Sequence, residues 1–186
     1  MTKTILITGA SSGIGAGMAR EFAQMGYNLA ICARRLERLE TLKQELEQQY
    51  GIRVIAKSLD VTNYDQVFQV FREFKQDFGQ LDRIIVNAGV GEGRRIGKGN
   101  FAINKATVET NFISALAQCE AAVEIFREQN SGHLVMISSM SAIRGMPKHL
   151  TAYGASKAAV AHLAEGIRAE LIDTPIQVTT IFPGYI

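Results

Sequence analysis

The chain has 186 residues, 47% of them apolar and 20% charged, with a net charge of +2. That length suits one domain with a real core, and the near-balanced charge offers nucleic acid no basic surface. Three consecutive apolar residues, Ile5 to Ile7, precede the first Thr-Gly break, which reads against a signal peptide, and no run approaches a membrane span.

In chain order, "KTILIT" reads as a first strand, followed by "TGASSGIG" and a helix with the stripe Ile14, Met18, Phe22 and Met25. "YNLAICA" is a second strand, and Leu36, Leu39, Leu42 and Leu46 mark the helix after it. "IRVIAKS" then precedes a helix striped by Val67, Phe71, Phe74 and Phe78, and "DRIIVNA" precedes a long helix from about 104 to 129. "HLVMIS" and "IQVTTIF" complete the strands, separated by an alanine-rich helix from about 152 to 172. Near-continuous apolar strands alternating with helices predict an α/β fold with a doubly wound parallel sheet, Rossmann-like, over one domain of residues 1–186. Through "AAVAHLA" the last helix is apolar nearly all round, so a covering partner is expected, in a homodimer or homotetramer built on the two long alanine-rich helices. Cys32 and Cys119 fall in different elements without metal-ligand spacing, so they are expected to be reduced core thiols of a cytoplasmic protein that holds no metal.

The glycine stretch admits three readings. A nucleotide-hydrolysing phosphate loop needs Lys and then Ser or Thr after its last glycine, but Ala16, Gly17 and Met18 follow Gly15. "GASSG" does match the G-x-S-x-G elbow of a hydrolase, whose nucleophile needs an acid and a histidine. Of His133, His149 and His162, only His149 is expected in a loop, which leaves that reading poor but open. A cofactor cradle uses every glycine: a tight strand-to-helix turn brings helix N-terminal amides close to a pyrophosphate. Its spacing is T-G-x-x-x-G-x-G rather than G-x-G-x-x-G.

Distant motifs in matching order add to this. "TGASSGIG", "LDV" at 59–61, "NAG" at 87–89, Asn111, "ISS" at 137–139, "YGASK" at 153–157 and "PG" at 183–184 together resemble the short-chain dehydrogenase/reductase family. The likeness runs over essentially the whole chain and implies an oxidoreductase moving hydride between a nicotinamide and a ketone, aldehyde or secondary alcohol. The alternative is a regulatory or scaffold protein that binds the cofactor with little turnover.

Tyr153 and Lys157 are four apart and share one helix face. A phenol ordinarily titrates near 10, and a neighbouring ammonium favours its ionised form, which suits general acid/base work. The resemblance implies that Lys157 also holds the nicotinamide ribose, and that Asn111 perturbs its helix and keeps a water that relays protons to the lysine. The family's usual serine spacing before the tyrosine falls on Met140; measured from the strand end and from Pro147 it falls on Ser139, with Ser138 the runner-up and Ser141 weaker. Such a serine would stabilise charge developing on the substrate oxygen.

For the cofactor, Gly9, Ser11, Ser12, Gly13, Ile14 and Gly15 are expected at the pyrophosphate, Asp60 and Val61 at the adenine, Asn87, Ala88 and Gly89 along the cleft, and Pro183 and Gly184 beside the nicotinamide. An enzyme preferring NAD places a carboxylate at the end of its second strand. Here Ala33 is followed by Arg34 and Arg35, whose guanidinium groups suit a 2′-phosphate, so NADP(H) is expected, with Arg34 the main contact. The basic loop with Arg94, Arg95 and Lys98 and the apolar "AIRGMPKHL" are candidate pocket walls for a small-molecule substrate, the former more simply a solvated loop. By resemblance a lid and a last strand follow "PG", so a natural protein longer than Ile186 is expected.

Overall fold

A computed structural model describes residues 2–146 and 149–184. Six parallel strands form the sheet: β1 (Thr4–Thr8), β2 (Asn28–Ala33), β3 (Val54–Ser58), β4 (Arg83–Val86), β5 (Gly132–Ile137) and β6 (Ile176–Ile181). Their spatial order is β3-β2-β1-β4-β5-β6, with β3 and β6 at the edges among the described residues. Every residue of β1 is buried, as expected of a strand covered on both faces. The direction of winding reverses between β1 and β4, and a crevice opens there at the carboxyl ends of the strands.

Helices α1 (Gly13–Gln24) and α2 (Leu36–Tyr50) cover one face of the sheet. On the other lie α3 (Tyr64–Phe78), α5 (Ser114–Gln129) and α6 (Thr151–Glu170). A shorter helix, α4 (Phe101–Val108), runs into α5 through a π-helical turn, Glu109–Ile113, so the single long helix expected over 104–129 is interrupted at Asn111. Local chemistry sets the ends. Asn63 caps α3 by accepting from the Gln66 N–H at 3.2 Å, and Gly51 ends α2 at φ 64°, a left-handed conformation that costs glycine little.

The expected stripe on α2 is buried at Leu39, Leu42 and Leu46, and that on α3 at Val67, Phe71 and Phe74. The α1 stripe is corrected. Its buried face is Gly15, Ala16, Ala19 and Ala23, while Met18 and Phe22 only flank that core, Ile14 borders the crevice, and Met25 is 65% exposed. The helix starts hard against the backbone of the glycine turn. Small side chains therefore form the contact and the larger ones are turned to its rims.

Candidate active site

The crevice holds two adjoining cavities of about 350 and 440 Å³ that share Gly9, Ser12, Ala88, Gly89 and Val90. The first extends past Ser11, Arg34, Arg35, Asp60 and Val61. The second runs past Gly13, Ile14, Gly15 and Asn87 to Ser139, Tyr153, Lys157, Pro183 and Gly184. Every residue expected at the site therefore borders one continuous cleft, with Asn111 the exception. It is 1% exposed and sits behind the wall.

At the glycine turn, close packing decides the sequence. A Cβ at Gly15 would run into the Gly9 carbonyl oxygen and lie 2.8 Å from Asn87 Nδ2. Gly13, at φ +55°, has open space around it and needs its conformational freedom instead. Ser12 precedes α1 without capping it, so the first-turn amides have no side-chain partner there and lie along the cleft with the positive end of the helix dipole. Opposite, Asn87 Nδ2 donates to the Thr8 carbonyl at 2.8 Å, and the Asn87 and Ala88 N–H groups both donate to Thr8 Oγ1 at 3.1 Å. "NAG" thus ties β4 to β1 at the mouth of the crevice.

At the first cavity, the Arg35 guanidinium bridges Ser11 Oγ at 3.1 Å and Ser12 Oγ at 2.9 Å, which holds it across the glycine turn. Burial pushes the Asp60 carboxyl up, but the Thr62 N–H and hydroxyl, together with the Arg34 charge, outweigh it and bring the group below its ordinary range. No carboxylate stands at the end of β2.

At the second cavity, Lys157 is 6% exposed and its Nζ donates to the Ile137 carbonyl at 2.9 Å. Burial lowers its pKa to about 8. Glycine at position 89 leaves room for this amine: a Cβ there would stand 3.4 Å from Lys157 Nζ and 3.0 Å from Asn111 Oδ1. Asn111 closes a pair of bonds on Val90, accepting from its N–H at 2.8 Å and donating to its carbonyl at 2.9 Å, and also donates to Ser156 Oγ at 3.2 Å. The asparagine in an apolar helix is thus satisfied by the loop after β4 and by Ser156, next to the lysine in sequence.

The two serines of "ISS" differ. Ser138 donates its hydroxyl to the Lys157 carbonyl at 2.8 Å, whereas Ser139 Oγ accepts from the Ser141 N–H at 3.1 Å and keeps its own proton to offer. Pro147, used to register the serine, lies outside the described residues, as do Lys148, Tyr185 and Ile186. Arg94, Arg95 and Lys98 do not line either cavity. Outside the motifs, which include Ile137 of "ISS", spacing gave no signal for Val90 or the wall formed by Ala106, Glu109 and Thr110. Val90 was reachable as the residue after "NAG"; the others depend on how α4 and the π-helical turn pack.

A hydrolase finds no support in this arrangement. Neither cavity is lined by a histidine among the described residues. His133 sits at the far end of β5, where Arg83 Nε donates to its Nδ1, and His162 is exposed on α6.

The sequence model for "short chain dehydrogenase" matches residues 3–186. An uncharacterized oxidoreductase of Mycobacterium tuberculosis is 52% identical over 183 residues, covering 98% of this chain and 72% of the relative. Among solved structures, an alcohol dehydrogenase from Thermococcus sibiricus complexed with 5-hydroxy-NADP superposes with a TM-score of 0.92 at 28% identity, over 100% of this chain and 77% of that one. An NAD+-bound xylitol dehydrogenase superposes with a TM-score of 0.93 at 29% identity, over 98% and 70%. With its parallel sheet, glycine turn and tyrosine–lysine pair gathered on one cleft, the chain belongs to the short-chain dehydrogenase/reductase family of oxidoreductases.

Proposed function

We propose that the chain is an NADP(H)-dependent oxidoreductase acting on ketones, aldehydes or secondary alcohols, with Tyr153 as the general acid/base. The observation that carries this is a single cleft with a pair of arginines at one end and Ser139, Tyr153 and Lys157 at the other. A nicotinamide cofactor, when bound, supplies or accepts the hydride. The residues present fit such a group: α1 offers free amides for a pyrophosphate, and the glycines keep the floor of the cleft free of side chains.

Arg34 and Arg35 would hold a 2′-phosphate, since two guanidinium groups stand where a carboxylate would otherwise meet a ribose hydroxyl. Arg35 is the more fixed of the two because Ser11 and Ser12 anchor it. The similar structures carry NADP in one case and NAD+ in another, so the choice rests on these arginines.

In reduction, Ser139 donates a hydrogen bond to the substrate oxygen and Tyr153 passes its proton there as negative charge develops. Lys157 places a positive charge one helical turn away, which lowers the cost of leaving the phenol oxygen negative. Asn111 holds Val90 and Ser156 so that the lysine and the strand end keep their places. In oxidation the proton moves the opposite way, from the alcohol to Tyr153.

The enzyme is proposed to be a cytoplasmic homo-oligomer. A groove between α5 and α6, lined by Leu116, Cys119, Val123, Leu163, Ile167 and Leu171 together with Glu120 and Glu170, is suited to a second copy, and both cysteines are buried and unpaired. Light scattering at micromolar concentration should show more than one chain per particle; a monomer overturns this part. Following NADPH absorbance against a panel of ketones and aldehydes tests the activity. Cofactor binding without consumption on any member would favour a regulatory binding protein instead.

A further inference from the structure

The chemistry above uses Ser139, Tyr153, Lys157 and Asn111, and brings in two buried hydroxyls beside them only as far as Ser156 is a partner of Asn111: Ser138 at 3% exposure and Ser156 at 2%. Both donate to carbonyls of the reacting turn. Ser138 Oγ reaches from the end of β5 to the Lys157 carbonyl at 2.8 Å, and Ser156 Oγ bonds the Tyr153 carbonyl at 2.7 Å. Ser156 Oγ in turn accepts from Asn111 Nδ2, whose side chain is clamped on Val90 in the cleft wall.

Two features set this pattern apart from hydroxyls that merely satisfy themselves. The adjacent residues Ile137 and Ser138 grip Lys157 at both ends, the carbonyl of one taking its amine and the hydroxyl of the other holding its backbone. The two carbonyls held also belong to the two residues that must be aimed: Ser138 and Asn111 reach α6 from other elements and so restrain its rotation, while the Ser156 back-bond to Tyr153 within α6 sets its local bend. We propose that Ser138 and Ser156 are positioning residues that fix the rotation and local bend of α6 and so the directions of the Tyr153 phenol and the Lys157 amine. This rests on the reading of those two as the reacting pair. It also gives the two serines of "ISS" separate work, Ser139 facing the substrate and Ser138 holding the helix.

The test compares Ser138→Ala and Ser156→Ala with the wild type in two ways. Steady-state kinetics with NADPH and an accepted ketone should show kcat down about 10- to 100-fold in Ser138→Ala, with KM for NADPH within about twofold. Titration of the Lys157 amine by lysine-selective carbon NMR needs no turnover. Among the described residues, Tyr153 is the only other titratable side chain lining that end of the cleft, so the signal reads the amine's own placement. In Ser138→Ala the amine should leave its buried seat and titrate higher than in the wild type. Ser156→Ala, with its link to Val90 cut, should show the same pattern more weakly, and it serves if Ser138→Ala does not fold.

A folded Ser138→Ala with wild-type kcat and an unmoved amine overturns the proposal. A fall in kcat matched by a rise in KM, with the amine unmoved, overturns it too, because Ser138 would then be a ligand contact or plain scaffolding. An inactive wild type whose amine still shifts in Ser138→Ala would sink the reductase reading and leave the positioning intact.

Discussion

Helix α1 meets the cleft end-on with backbone amides and glycine, whereas α6 runs beside it and contributes the side chains of Tyr153 and Lys157 one turn apart. The first arrangement needs residues that are absent or small: a Cβ at Gly15 would strike the Gly9 carbonyl oxygen. The second needs large polar groups in a buried place, at the expense of a lysine that is 6% exposed. One half presents main chain and glycine to the cleft, which under the proposed function would grip a polyanion, and the other places two titratable groups. Substitutions should therefore divide, those around α1 and β2 acting on cofactor affinity and those around β5 and α6 on turnover.

The largest effect expected on the α6 side, short of Tyr153 itself, is from Lys157→Met, which removes the charge beside the phenol. Turnover with NADPH should fall about 100- to 10,000-fold in steady-state assays. Ser139→Ala should lower kcat by about 100-fold while NADPH still binds, measured by fluorescence titration; full activity would move the substrate contact elsewhere. On the α1 side, Arg35→Gln should weaken NADPH by about 10- to 100-fold and leave NADH nearly unchanged, since charge-assisted bonds to a phosphate are lost. Equal binding of NADH and NADPH by the wild type would break the division at its cofactor end.

A further effect is on stability rather than on activity. Lys157 titrates near 8 in the fold against an ordinary 10.5. Below pH 8 both folded and unfolded states carry the proton and the burial penalty is full. Between these values the folded state has released it while the unfolded chain still holds it, so stability rises with pH, by on the order of 3 kcal/mol from this group. Urea unfolding of the cofactor-free chain at pH 7 and at pH 10 should show that rise in the wild type relative to Lys157→Met, whose profile lacks it.

Much of this division is visible in the sequence. The strands are apolar runs, so the sheet follows from pattern, and the tyrosine and lysine stand four apart on a helical pattern, so their shared face follows from spacing, whereas their proposed role rests on the resemblance. The face of α1 was misread because hydropathy weights Met and Phe, while the contact is made by Gly15, Ala16, Ala19 and Ala23 against nearby backbone. The π-helical turn at Glu109–Ile113 leaves no periodic trace; within it Asn111 bonds Val90 in the loop after β4, 21 residues earlier in the chain. Spacing from the strand end favours Ser139 over Ser138 but carries no physical reason for the preference. The choice turns on which hydroxyl the Lys157 carbonyl takes up, a contact across 19 residues of chain.

The most direct measurement is NADPH consumption by Tyr153→Phe beside the wild type, with a ketone the wild type reduces and with NADPH binding measured in parallel. A phenol that donates the proton predicts that turnover collapses while binding holds within a few-fold. Undiminished consumption by the phenylalanine variant would contradict the account.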